Sequence, residues 1–231
     1  MRSMGLVFKV LWSPGEAMFL IAKNPRVILP LSLLICSSLL SGAIVMTKLP
    51  DLPMRAIERS PQGMNLSDEA KDRIRQQIDS PITRIFTIVF SGLRPVLVLL
   101  IVSGIYFSAF TIIGREGNFK SFFSITAFAF IPTIFRQIVA ILSALFAPSS
   151  SIMPDELGSL SPAVLLDRDS VSPIVFMGMN MIDIVSIWTL SLMVIGFAFV
   201  TRKSVSRAAR AGVVIGVFLV YAAARIIIRT V

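Results

Sequence analysis

The chain has 231 residues, of which 55% are hydrophobic and 15% charged, and its mean hydropathy is +0.83. Soluble domains carry about 25% charged residues, so the composition excludes an ordinary water-soluble globule and points to lipid. Twenty-two Lys and Arg against 13 Asp and Glu give +9, a balance suited to anionic membrane surfaces, and the lack of any His removes the commonest general base and metal ligand.

From the N-terminus, the apolar stretch at residues 4–12 is short, broken by Lys9 and followed by no small-residue cleavage site, so it does not read as a signal peptide. Residues 1–25 read instead as an interfacial segment. Ser13, Pro14 and Glu16 form a capping-box pattern, and Met18, Phe19, Ile21 and Ala22 supply apolar surface. Asn24-Pro25 ends that helix before the first span, residues 27–46, which is uncharged and contains the single cysteine, Cys36.

The segment from Lys48 to Arg84 is polar and nearly balanced in charge. Within it Ser67 caps a predicted helix whose first turn carries Asp68 and Glu69, and Leu66, Ala70, Ile74 and Ile78 form one apolar stripe. Ser80-Pro81 closes it. The second span covers residues 85–113 and is interrupted by Arg94-Pro95; the third covers 121–147 and contains Pro132. A loop with a helix start at Ser161-Pro162 leads to the fourth span, 171–200. The fifth, 211–228, opens on Ala208, Gly212 and Gly216, a small-residue face on which another helix can pack closely. Each span is long enough for a bilayer helix, which needs roughly 20 residues. The chain therefore reads as one all-α domain, 1–231: a polytopic membrane protein with five transmembrane helices and an N-terminal interfacial helix.

Basic residues set the expected orientation. Arg2, Lys9, Lys23, Arg26, Arg115, Lys120, Arg202, Lys203, Arg207 and Arg210 fall in three short segments on one side, against Glu16 and Glu116. The loop on the other side sets Arg168 against Asp155, Glu156, Asp167 and Asp169. The positive-inside rule then predicts a cytoplasmic N-terminus and an extracytoplasmic C-terminus.

Ionisable residues inside apolar spans are costly and are the first place to look for function. Arg94, Arg136, Asp183 and Arg225 are four such residues. Counted at about 1.5 Å per residue, they lie roughly 21–29 Å from the inner ends of their helices, in one layer near the outer boundary. Asn180 and Gln137 are close to the same level. One Asp can pair with one Arg, leaving positive charge for snorkelling, for lipid phosphates or for an acidic partner. No phosphate-binding loop, nucleophile elbow, zinc motif or Cys cluster occurs, and Asp183 has no second carboxylate in its span. Neither enzymatic activity, a metal, a cofactor nor a nucleic-acid partner is expected.

Ser13, Pro14 and Phe19 ahead of Asn24-Pro25, the run from Phe122 to Pro132, and Asp183, Ile187-Trp188 and Gly196 in the fourth span together resemble the YIP (Ypt/Rab-interacting protein) family, in its bacterial branch. The likeness covers about residues 13–228. It implies a five-span fold with a cytoplasmic N-terminus in a bacterial inner membrane. The Asp-Leu-Tyr-Gly-Pro motif and long N-terminal region of eukaryotic relatives are absent, so binding of Rab-type GTPases is not carried over. The expected function is a non-enzymatic accessory or scaffold protein that binds membrane lipids, anionic ones included, and a transporter subunit such as an export transporter, or a second copy of itself. The alternative is a lipid or small-solute transporter using the Arg-rich layer.

Overall fold

The computed structural model describes residues 3–113, 117–148, 152, 157–166, 171–201 and 205–230, and all regular structure among them is helical. An N-terminal hairpin, α1 (Ser3–Trp12) and α2 (Pro14–Lys23), precedes α3 (Ile28–Lys48). Three short helices follow outside the apolar spans: α4 (Leu52–Glu58), α5 (Pro61–Met64) and α6 (Asp68–Asp79). Next come α7 (Pro81–Ile112), α8 (Phe119–Ala129) and α9 (Thr133–Phe146), then a 3₁₀ turn at Pro162–Leu165. The chain closes with α10 (Pro173–Met181), α11 (Ile184–Val200) and α12 (Arg207–Thr230). Arg2, Arg115, Glu116, Asp155, Glu156, Asp167, Arg168, Asp169, Arg202 and Lys203 lie outside the described residues.

Four apolar stretches are long enough to cross a membrane unaided: α3, α7, α8 with α9, and α12. The expected fourth span is not one helix. It breaks at Ile182-Asp183, and α10 and α11 meet at 52°, so they supply a fifth crossing only as a broken span. The third span also breaks, at residues 130–132. Proline disfavours helical geometry in the residue before it, and the chain passes Ile131-Pro132 through tight bonds from Ile131 N–H to Phe128 C=O (3.2 Å) and from Thr133 N–H to Phe130 C=O (2.9 Å). Pro95 behaves differently: α7 runs unbroken through it.

The bundle is built around α8, seven of whose eleven residues are buried. A helix that is apolar on all sides has to be surrounded. Its buried hydroxyls are satisfied locally or by main chain. Thr126 donates to Phe122 C=O (2.9 Å), and Ser124 donates to Arg26 C=O (2.9 Å) while accepting from Arg26 N–H (3.0 Å). Beside it Tyr106, Phe110, Phe122 and Phe197 form the aromatic centre of the core, with ring centroids 5.1–5.7 Å apart. The Tyr106 hydroxyl donates to Val214 C=O (3.2 Å), which ties α12 to α7.

Close helix approach occurs where glycine permits it: at Gly196, whose place in the fourth span suggests such a role, and at Gly42 and Gly92, which the sequence does not single out. A Cβ on Gly42 of α3 would fall 2.3 Å from Ser91 Oγ, one on Gly92 of α7 2.5 Å from Leu39, and one on Gly196 of α11 2.4 Å from Ile125. At Gly212 and Gly216 of α12, and at Gly178, a Cβ would meet nothing within 4 Å. Among the described residues, the small-residue face is therefore open at Gly212 and Gly216, and Ala208 is exposed.

The N-terminal segment departs from expectation in two ways. Ser13 makes no side-chain cap bond, and Glu16 turns back to pair with Lys9 of α1 instead of completing a capping box. Ala17, Met18 and Ile21 are fully buried in the protein core, so only part of the apolar surface of α2, notably Phe19, is left to face lipid. The polar segment follows its pattern. Ser67 caps α6 through Ala70 N–H (3.3 Å), Glu69 pairs with Arg73 (2.5 Å), and the Leu66–Ala70–Ile74–Ile78 stripe is half-buried.

Candidate functional site

The break in the fourth span meets α9 one turn beyond the break in the third. Asp183 is the N-cap of α11, and its carboxylate accepts from Ser186 N–H at 2.6 Å. Aspartate suits this place because its oxygens satisfy an amide that has no helical partner and its charge complements the helix dipole. Arg136, in the first turn of α9 beyond the other break, donates through Nη2 to Asp183 and to Ser186 Oγ (2.7 Å for the latter). The Asp183 side chain is only 4% exposed, whereas that of Arg136 is 37% exposed, with its Nε buried and without a hydrogen-bond partner. Thus the carboxylate is enclosed by a cap and a guanidinium, and the guanidinium keeps donors in reserve.

A polar surround holds this pair. Gln137 Nε2 donates to Ser38 Oγ (2.7 Å), and Ser91 Oγ donates to Ser38 C=O (3.2 Å), linking α9, α3 and α7. Asn180 Oδ1, on the α10 side, accepts from Ser159 (2.9 Å) and Ser161 (3.3 Å). The loop that supplies these serines runs over α9 at Gly158, whose φ of +72° and approach to Arg136 C=O leave no room for a Cβ.

The expected layer of four charges exists as a level but not as a cluster. Tyr106 meets both Phe197 and Val214. From that reference Arg94 is 12 residues along α7, Asp183 is 14 residues along the fourth span and Arg225 is 11 along α12. At about 1.5 Å per residue these lie some 17–21 Å away, in the same direction. Only Arg136 and Asp183 touch. Arg94 and Arg225 are exposed on the outsides of α7 and α12, and among the described residues neither has an ion pair. The roles of Ser186 as acceptor and Ser159 and Ser161 as partners of Asn180 were not anticipated.

A Yip1 domain match spans residues 8–226. The chain belongs to the Yip1 family. No curated protein and no solved structure is significantly similar to it. As a Yip1 domain, it consists of an all-helical bundle with four to five helices apolar enough to span a membrane. The chemistry at its polar level is that of an enclosed ion pair. The Asp183 carboxylate is engaged by Arg136, and a planar guanidinium with spare donors offers recognition of an anionic oxygen.

Proposed function

We propose that this Yip1 protein is a non-enzymatic accessory or scaffold subunit of a bacterial inner membrane, with its N-terminus cytoplasmic, which binds other membrane components such as an export transporter. The observation that supports this reading is the uneven use of its helix faces. The core is closed by fully buried Phe110, Phe122, Phe128 and Phe197, yet only 6% of the apolar window of α12 is buried. Gly212 and Gly216 on that helix are open to a neighbour. A Gly212→Leu/Gly216→Leu variant tests the reading: it keeps its thermal stability in detergent but loses cross-links between α12 and neighbouring membrane proteins. Retention of those cross-links, or their absence in the native chain, counts against the scaffold.

A second reading, a transporter of lipid or small anionic solutes, is favoured by one observation. Broken helices that place polar groups at a common level are a recurrent feature of transporter sites, and here both breaks flank Arg136–Asp183. The charged cleft of about 380 Å³ bounded by Asp51, Met54, Arg55, Glu58 and Arg75 is lined by none of these polar-level residues. Flux of labelled lipid or solute through proteoliposomes, abolished by Arg136→Met, would establish this reading in place of the first.

A further inference from the structure

Helix α1 is apolar on two opposite sides. Leu6, Val7 and Val10 are buried in the main core beside Ala17, Met18 and Ile21 of α2. Met4, Phe8 and Trp12 recur every fourth residue on the other side and are 56%, 62% and 86% exposed. Three large apolar side chains held rigidly outward on a packed helix form a surface that water does not suit.

The position of the hairpin decides what covers that surface. Met18 of α2 packs beside Gly196, and Phe19 meets Phe199 edge-on at 5.7 Å, both in the last turns of α11. Arg26 is held by Ser124 in the second turn of α8. The hairpin therefore lies where α8 enters and α11 leaves the bundle, at the level where the spans emerge from hydrocarbon. Exposed Lys23, Lys120 and Arg207 belong to the same end, whereas Glu16 is already taken by Lys9. Tryptophan favours the headgroup level of a bilayer, and basic residues beside an apolar helix face favour anionic lipid.

We infer that α1 is an in-plane anchor for the anionic leaflet at this end of the bundle. Met4, Phe8 and Trp12 enter the boundary between headgroups and acyl chains, and Lys23 and Lys120 meet lipid phosphates. The Lys9–Glu16 pair holds α1 against α2 so that the inserted face keeps a fixed direction. The inference depends only on the chain spanning a membrane, and it stands whether the protein is a scaffold or a transporter.

Trp188→Phe leaves Trp12 as the sole tryptophan in the full chain. This variant is reconstituted in vesicles of phosphatidylcholine alone and of phosphatidylcholine with phosphatidylglycerol at about 3:1, each with and without lipid brominated near the carbonyl end of the acyl chain. The expected result is blue-shifted emission, strong quenching by bromolipid and weak quenching by aqueous acrylamide. Bromolipid quenching is deeper in the anionic vesicles, and that increment is lost in Lys23→Gln/Lys120→Gln. Water-like emission quenched by acrylamide overturns the anchor, and resistance to both quenchers overturns it in favour of a protein cover such as a second copy. Equal bromolipid quenching in the two vesicle types overturns the choice of an anionic leaflet. If Trp188→Phe does not fold, a nitroxide on Phe8→Cys in a Cys36→Ser background reads the same surface. Collision with oxygen exceeding collision with an aqueous nickel chelate supports the anchor, and the reverse overturns it.

Discussion

The two ends of the bundle are held by different physics. At the end bearing the N-terminal hairpin, Phe110, Phe122 and Phe197 interlock without a charge among them. Some 12–21 Å along the helices, the third and fourth spans both break, and an ion pair with a polar surround replaces apolar packing. The difference shows how a chain can interrupt two membrane helices and remain folded. The two breaks are satisfied differently: at one Asp183 caps α11 and is neutralised by Arg136, and at the other main-chain bonds carry the chain through residues 130–132.

The aromatic end is expected to be the more sensitive to single substitutions. Phe122→Ala should cost about 3–5 kcal/mol by opening a cavity at a fully buried site, read as a large fall in melting temperature in detergent. Asp183→Ala comes next, at about 3 kcal/mol, since it leaves Arg136 unpaired and α11 uncapped. The exposure of Arg136 keeps the figure at the lower end of the range for buried pairs. Asp183→Asn should recover about 1 kcal/mol of that loss, because asparagine caps a helix as well as aspartate does. A loss from Asp183→Asn as great as from Asp183→Ala would show that the charge alone matters and the cap does not. Losses from Asp183→Ala that match Phe122→Ala would erase the contrast between the ends.

Smaller effects sharpen it. Gly196→Leu should destabilise by about 1–3 kcal/mol through overpacking against Ile125, whereas Gly212→Leu should change stability by no more than about 0.5 kcal/mol. The smallest stability change belongs to Arg94→Ala/Arg225→Ala, since both side chains are exposed and unpaired. Its expected effect is instead a lower content of co-purified anionic lipid in native mass spectrometry, because guanidinium groups near a membrane boundary attract phosphate. Unchanged lipid content would leave these arginines as snorkelling residues alone.

Apolar run length made the spans legible in the sequence. The expected 27–46 corresponds to α3 at Ile28–Lys48, and 211–228 lies within α12 at Arg207–Thr230. Ser67 as a cap and the half-buried α6 stripe were legible for the same reason, since they depend on neighbours in sequence. The break at Asp183 was obscured because hydropathy over residues 171–200 is high on both sides of it, and one Asp scarcely lowers a window average. The pairing of Asp183 with Arg136, out of three candidate arginines, depends on which helix faces which, a matter of tertiary packing. Likewise Gly42 and Gly92 show no spaced motif: each is matched by a residue on the other helix. Ala208, Gly212 and Gly216 have the motif and lack the neighbour. The buried face of α2 was hidden because apolar residues at helical spacing look alike whether lipid or protein covers them.

The seam between α3 and α7 has a further consequence. Gly42 faces Ser91, and Leu34 clusters with Leu99, so the antiparallel alignment puts Ile28 opposite Ile105. Since α7 continues to Ile112, it extends about 10 Å past the start of α3. Near the start of α3, Leu29 and Leu33 pack against the core that the α1–α2 hairpin shares. The last turns of α7 therefore pack against α8, through Phe107 on Phe119 and Phe122, rather than against α3, and Ile112 is left exposed at their end.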